Sequence, residues 1–477
     1  MKQDFFRKVD IDNSKLNPFR YKKINSNYLI TNNFGFYHFL KSSEFEKYIS
    51  GEISQDSELF SDLSKKGFVR GEGDTEELLQ RFATKRTRLN QGPGLHIIVV
   101  ALDCNYNCLY CQADSGKSDT ANLKMDKKTA KKVVDQIFET PVKKITIEFQ
   151  GGEPMTNWDV VKFIINYTDK KRVYSDKKVE FSLVTNLSLM TEERFDFLIE
   201  NNIKICTSLD GPQDLQNKNR PYSEGDSYEA VKKWVKKSKN IDRSKRINAI
   251  PTISKFSLDK PKEIIDEYRE IGYPGIHLRP LSNLGRSGGE ASDLIGYSAE
   301  EFIDYWQTSM DYILKINKTG DLFSERMATI MLTKILTDKD PGYTDLSSPC
   351  GAVIGQVLYN YNGDLYTCDE ARMIDDDTFK IGNIDNISYE DMIDSDTCSM
   401  VVNASILENQ PCDFCAYKPY CGVCPVKNYA LEGTLFPNIK STEWCKLRTA
   451  QMDYLFEKLQ NKVNKYIFKA WVARSVK

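Results

Sequence analysis

Histidine is almost missing from this chain: 477 residues hold only His38, His96 and His277. That leaves too few imidazoles for a His-rich metal site, and mechanisms that rest on an imidazole base lose their usual agent. Each of the three reads as structural. An excess of one charge sign is missing too, since 66 basic residues meet 68 acidic ones for a net charge of -2. No global field gathers nucleic acid or an anionic membrane, and neither partner is expected. Nor does any segment approach the roughly 18 to 20 apolar residues of a membrane span. The opening Met1-Lys2-Gln3-Asp4-Phe5-Phe6-Arg7 carries no secretory apolar stretch, so a cytoplasmic protein is expected.

What the chain does have is cysteine, twelve in all. A reducing compartment disfavours disulfides, and clustering then points to metal. Cys206, in the apolar run Ile203-Lys204-Ile205-Cys206, reads as core. The most informative run is Leu102-Asp103-Cys104-Asn105-Tyr106-Asn107-Cys108-Leu109-Tyr110-Cys111, directly after the strand-like segment His96 to Ala101. Three thiolates at C-x3-C-x2-C can hold three corners of a 4Fe-4S cluster and leave the fourth iron free to take a small molecule. The alternative, structural zinc, usually brings paired C-x2-C elements and four ligands, and here the local set stops at three. The loop resembles that of radical S-adenosylmethionine (radical SAM) enzymes, which favour an aromatic residue before the last cysteine, as Tyr110 is here.

Around this loop the chain alternates strand and helix from His96 to Leu281, in about six β/α units. That implies a parallel sheet curled into a partial barrel, an α/β fold with its chemistry at the C-terminal strand ends. The cysteine loop follows the first strand. Gln150-Gly151-Gly152-Glu153-Pro154 follows the second, where the resemblance implies contact of Gly151, Gly152, Glu153 and Pro154 with the methionine moiety of S-adenosylmethionine. Asn186 after the third strand, Ser208 and Asp210 after the fourth, and Arg279 on the sixth are expected around ribose and carboxylate, although each also suits a cap, a turn or an ion pair.

A second cysteine field runs Cys350-x12-Gly363-x4-Cys368, then Cys412-x2-Cys415-x5-Cys421-x2-Cys424, then Cys445. Zinc remains an alternative here, because the two C-x2-C pairs alone suit a ribbon site. The field resembles the SPASM domain, with x2 in its last pair where that family commonly has x3. The resemblance implies two auxiliary 4Fe-4S clusters, one on Cys412, Cys415, Cys421 and Cys445 and one on Cys350, Cys368 and Cys424. Cys398 stands open between fourth ligand and structural thiol.

Residues 17 to about 70 pattern as three short strands and two helices, a winged-helix-like unit. It resembles the PqqD-like domain that captures leader peptides by strand addition. The expected division is 1–74 as this recognition unit, 75–94 as a linker helix, 95–320 as a partial (β/α)6 TIM-like barrel, 321–448 as the SPASM domain and 449–477 as a C-terminal amphipathic helix. The whole resembles radical SAM/SPASM peptide maturases, nearest those of the His-Xaa-Ser system and their cyclophane-forming relatives. The resemblance implies three 4Fe-4S clusters, S-adenosylmethionine, a ribosomally made precursor peptide with a leader, and an electron donor such as flavodoxin or ferredoxin. The reaction implied is hydrogen abstraction followed by oxidative crosslinking. Thioether formation and sulfatase maturation share these domains, and a non-catalytic iron-sulfur electron carrier is the alternative of a different class.

Overall fold

The computed structural model describes residues 11–475 apart from 114, 116–122, 243, 244 and 290. The first ten residues of the 1–74 unit, with the opening Met1 to Arg7, and the last two of the 449–477 segment lie outside the described residues. The N-terminal unit is an antiparallel meander of β1 (Arg20–Ile24), β2 (Asn27–Thr31) and β3 (Tyr37–Lys41), followed by α1 (Ser42–Ile49) and α2 (Glu58–Lys65). Asn25 makes the first turn at φ 55°, a left-handed conformation that asparagine tolerates. Ile30, Leu40, Phe45, Tyr48, Leu63 and Phe68 close a core of the unit's own. The linker helix α3 (Thr75–Thr84) starts on Asp74, whose carboxylate accepts from the backbone of Glu76 and Glu77. It stops at Thr84, and only a 3-10 turn at Thr87–Asn90 continues it, so the linker helix expected within 75–94 is broken.

The central sheet runs parallel in the order β4 (Leu95–Ala101), β5 (Lys144–Gly151), β6 (Lys178–Val184), β7 (Lys204–Ser208), β8 (Asn248–Ile250). Helices α4 (Lys127–Ile137), α5 (Trp158–Arg172), α6 (Glu192–Glu200), α7 (Gln213–Asn219), α8 (Ser227–Ser238) and α9 (Pro261–Ile271) form the connections and pack their apolar faces on it. The last two expected strands differ. Pro251 lacks an N–H and cannot extend a ladder, so one strand divides into β8 and β9 (Thr252–Ile253). The next divides into β10 (Gly275–Ile276) and β11 (Arg279–Pro280), where β11 pairs with β9 and β10 pairs with β12 (Ser324–Glu325). Short pairs thus take the place of a full sixth strand.

On its other side β4 pairs in parallel with β13 (Gln356–Tyr359), which continues antiparallel into β14 (Asp364–Tyr366) and β15 (Lys380–Asn383). One eight-stranded sheet therefore joins residues from both sides of the expected boundary at 320. The tail is two helices, Glu443–Leu459 and Lys462–Ser475, and the expected single stripe breaks between them: Val463 is 55% exposed while Trp471 is buried. Among the described residues no helix is long and apolar enough to cross a membrane. The histidines are structural in their surroundings: burial pulls His96 and His277 down to about 3, and His38 meets Asp62 at 2.9 Å.

Phe456 ties the ends of the molecule together, its ring 5.4 Å from Tyr37 of the N-terminal unit and 5.7 Å from Tyr417 of the cysteine-rich region. Phe456→Ala is expected to destabilise the protein by about 3–5 kcal/mol, read as a lower urea midpoint.

Candidate active site

Cys104, Cys108 and Cys111 leave the C-terminal end of β4 and line one cavity of about 360 Å³. The loop is held by backbone contact with the end of β5. Gly152 N–H donates to Ala101 O at 2.8 Å, and Glu153 N–H donates to Asp103 O at 2.9 Å. A Cβ on Gly151, at φ 139°, would stand 1.9 Å from Ala101 O, and one on Gly152 would stand 2.3 Å from Asp103 O. Both positions therefore require glycine. A second latch comes from Gly285 and Arg286: Arg286 N–H donates to Cys111 O at 3.1 Å, and a Cβ on Gly285 would meet Gln112 O at 2.5 Å.

The thiols sit among donors. Tyr106 N–H points at Cys104 Sγ at 3.4 Å, Asn186 Nδ2 lies 3.9 Å from the same sulfur, and Ser115 Oγ is 3.1 Å from Cys111 Sγ. Burial pushes the Cys104 thiol up to about 12 and Cys108 up to about 11, with Arg220 opposing the shift at Cys108. Tyr110, Gly151, Gly152, Asn186, Ser208 and Arg279 all line the cavity.

Three of the expected residues, Glu153, Pro154 and Asp210, lie outside the lining of this cavity. Glu153 is fully buried behind the cavity wall, where its carboxylate accepts from Met155 N–H at 3.0 Å, Thr185 Oγ1 at 2.8 Å and Asn186 N–H at 2.8 Å. It is a bracket for the end of β6, while Pro154 opens the 3-10 turn Pro154–Asn157 behind it, at the position where a missing N–H costs least. Asp210, expected at the ribose, is also fully buried and outside the lining. Tyr110 Oη, Asn219 Nδ2 at 3.1 Å, Thr252 N–H at 3.0 Å and Arg220 already fill its oxygens. A carboxylate this saturated has no lone pair left to offer a ligand.

Asp369 and Arg372 reach the cavity unannounced by the sequence. Burial raises the Asp369 carboxyl, and Arg279 opposes the shift. Its place directly after Cys368 was the available signal. Arg279 donates to Gln112 Oε1 at 3.1 Å and also borders a second cavity of about 350 Å³ that reaches Glu370, Lys427 and Trp444.

The cysteines of the second field fall into two groups. Cys350, Cys368 and Cys424 share one buried cluster, with Cys424 Sγ donating to Glu370 at 3.5 Å. Cys412, Cys415, Cys421 and Cys445 line a separate small cavity of about 40 Å³. Cys398 lines neither and donates its S–H to Met392 O at 3.0 Å, which fits a structural thiol. A zinc ion needs its sulfurs about 2.3 Å from one point. Among the described residues no three His, Cys, Asp or Glu side chains are placed to hold a single metal ion.

This fold, with three cysteines after the first strand of a parallel sheet, defines a radical SAM domain. Residues 98–268 match the family model of the Radical SAM superfamily, so this stretch of the chain is a radical SAM domain. Such a domain implies a 4Fe-4S cluster and S-adenosylmethionine. The chain is similar to the radical SAM cyclopropyl synthase TigE of Paramaledivibacter caminithermalis, with 27% identity over 38% of this chain and 41% of that protein, so it spans less than half of that relative's length. It is also similar to the cysteine-type anaerobic sulfatase-maturating enzyme of Clostridium perfringens, with 23% identity over 76% of this chain and 95% of that one. In fold it is similar to Streptococcus suis SuiB bound to precursor peptide SuiA, at a TM-score of 0.54 and 14% identity, covering 91% of this chain and all of that one.

Gly152→Ala is expected to strip the cluster from the 104–111 loop. Iron per chain should fall by one cluster's worth in protein whose circular dichroism is unchanged.

Proposed function

We propose that this chain is a radical SAM maturase of a ribosomally made precursor peptide, closing an intramolecular crosslink by net two-electron oxidation, with a C–C bond of the cyclophane type favoured. The observation that carries this reading is a shared wall. Arg279, Pro280, Leu281 and Ser282 border both the cavity of the three-cysteine loop and the second cavity beside Glu370, Lys427 and Trp444. A peptide side chain lodged there lies between the cysteine loop and the Cys350, Cys368, Cys424 group.

The donor set fits the groups assigned to it: three thiols on one cavity, a glycine backbone that admits close approach, and amide, hydroxyl and guanidinium groups from Asn186, Ser208 and Arg279. When bound, the cluster and S-adenosylmethionine supply a 5'-deoxyadenosyl radical that takes a hydrogen atom from an unactivated C–H bond. The protein's share is orientation and exclusion of water. Gly151 and Gly152 give the methionine moiety a backbone surface, and Arg279 offers a cation to a carboxylate. Asp369, half-buried on the same wall, accepts the proton released as the new bond closes. Cys350, Cys368 and Cys424, with Cys412, Cys415, Cys421 and Cys445, would hold two auxiliary 4Fe-4S clusters as an exit for the second electron. Flavodoxin or ferredoxin would be the reductant, and the sheet of residues 20–41 the dock for the leader by strand addition.

Likeness to the Clostridium perfringens enzyme along 95% of its length favours a second reading, oxidation of a single residue in the manner of sulfatase maturation. Fragmentation separates the two. Incubation with S-adenosylmethionine, reductant and a precursor peptide should yield 5'-deoxyadenosine and a peptide lighter by two hydrogens. In the crosslink reading, tandem mass spectrometry shows no backbone fragments between the joined residues; a full fragment series with one altered residue supports the second reading. No 5'-deoxyadenosine at all would sink both and leave the electron-carrier alternative.

Asp369→Asn should keep uncoupled 5'-deoxyadenosine formation while product formation falls roughly a hundredfold or more.

A further inference from the structure

Residues 219–221 clasp the cysteine loop on both sides of its middle ligand. Leu109 N–H donates to Asn219 O at 3.0 Å and Asn107 N–H donates to Pro221 O at 3.0 Å, which registers Arg220 opposite Cys108. The Arg220 side chain turns inward, with Nη1 3.9 Å from Cys108 Sγ. Its remaining nitrogens are held by Asp210, Nε to Oδ2 at 3.2 Å and Nη2 to Oδ1 at 3.3 Å. Asp210 in turn accepts from Tyr110 Oη, and the Tyr110 ring lies 5.1 Å from the guanidinium. Tyr110, Asp210 and Arg220 thus form a chain of contacts whose last member, Arg220, meets the sulfur.

A structural ion pair alone needs no contact with the thiol. Here the carboxylate balances the guanidinium charge and leaves one N–H directed at the sulfur, which is the arrangement that tunes a metal ligand. We propose that Arg220 is a positioning residue that raises the reduction potential of the cluster on Cys104, Cys108 and Cys111 by donating to the Cys108 thiolate. The inference rests on the cluster assignment above. A donor to the thiolate stabilises the more negative, reduced cluster, so electron entry is eased at this site.

The test is a redox titration of the anaerobically reconstituted holoenzyme followed by electron paramagnetic resonance, reading the cluster whose signal changes when S-adenosylmethionine is added. Arg220→Gln is combined with Asp210→Asn so that no buried charge is stranded. The expected result is a midpoint shifted to more negative potential at unchanged iron content, with other iron signals unmoved. An unchanged midpoint at full iron content overturns the proposal. If the double variant does not retain iron, wild-type protein with 15N in its guanidinium groups decides: a 15N coupling on the responsive signal is expected, and its absence overturns the proposal equally. Wild-type protein that lacks any signal responsive to S-adenosylmethionine is a different outcome, which removes the cluster assignment itself.

Discussion

The whole site depends on how closely two backbones approach at the top of β4 and β5. Gly151 and Gly152 lie against the carbonyls of Ala101, Leu102 and Asp103 at distances no Cβ could survive. That approach fixes the first bend of the cysteine loop, and the 219–221 clasp and the Arg286 latch then fix the rest. Three thiols reach one cavity because their loop is gripped from three directions by main-chain bonds. Backbone bonds hold position without the entropy loss of long side chains, and so they suit a loop whose ligands must converge.

Buried carboxylates do the remaining alignment. Glu153 braces the end of β6 and places Asn186 beside Cys104, and Asp210 anchors Arg220 beside Cys108. Glu325 does the same work further round, accepting from Leu278 N–H at 3.1 Å while capping the helix Arg326–Leu336. In each case a charge removed from water is satisfied by several donors, the condition under which burial is tolerated.

Local spacing made much of this legible. C-x3-C-x2-C after an apolar run, glycines after the second strand and the 3.6-residue periodicity of α4 to α9 are all short-range signals, and the elements stand within a few residues of where those signals put them. What sequence could not convey is tertiary. Glu153 and Asp210 have the residue types of cofactor contacts, yet a carboxylate's role depends on which donors the fold brings to it. Asp369 became visible only when β13 paired with β4 across some 260 residues. Pro251 was legible as a ladder-breaker in principle, but the apolar pattern around it outweighed that single letter in reading one continuous strand. Phe456 and Trp471 showed as apolar, but not the partners that bury them.

The pairing of β13 with β4 also bears on divisibility. Strand β4 is flanked on both sides, so its Ile97, Ile98, Val99 and Val100 show no free ladder to solvent. A fragment that ends before β13 would leave Leu95 to Ile98 of β4 as an apolar edge with its outward N–H and C=O groups unpaired, the kind of surface on which chains stack into aggregates. The barrel and the cysteine-rich region are accordingly not cassettes that could be exchanged between proteins at residue 320. They are halves of one sheet, and they have to be inherited or engineered together.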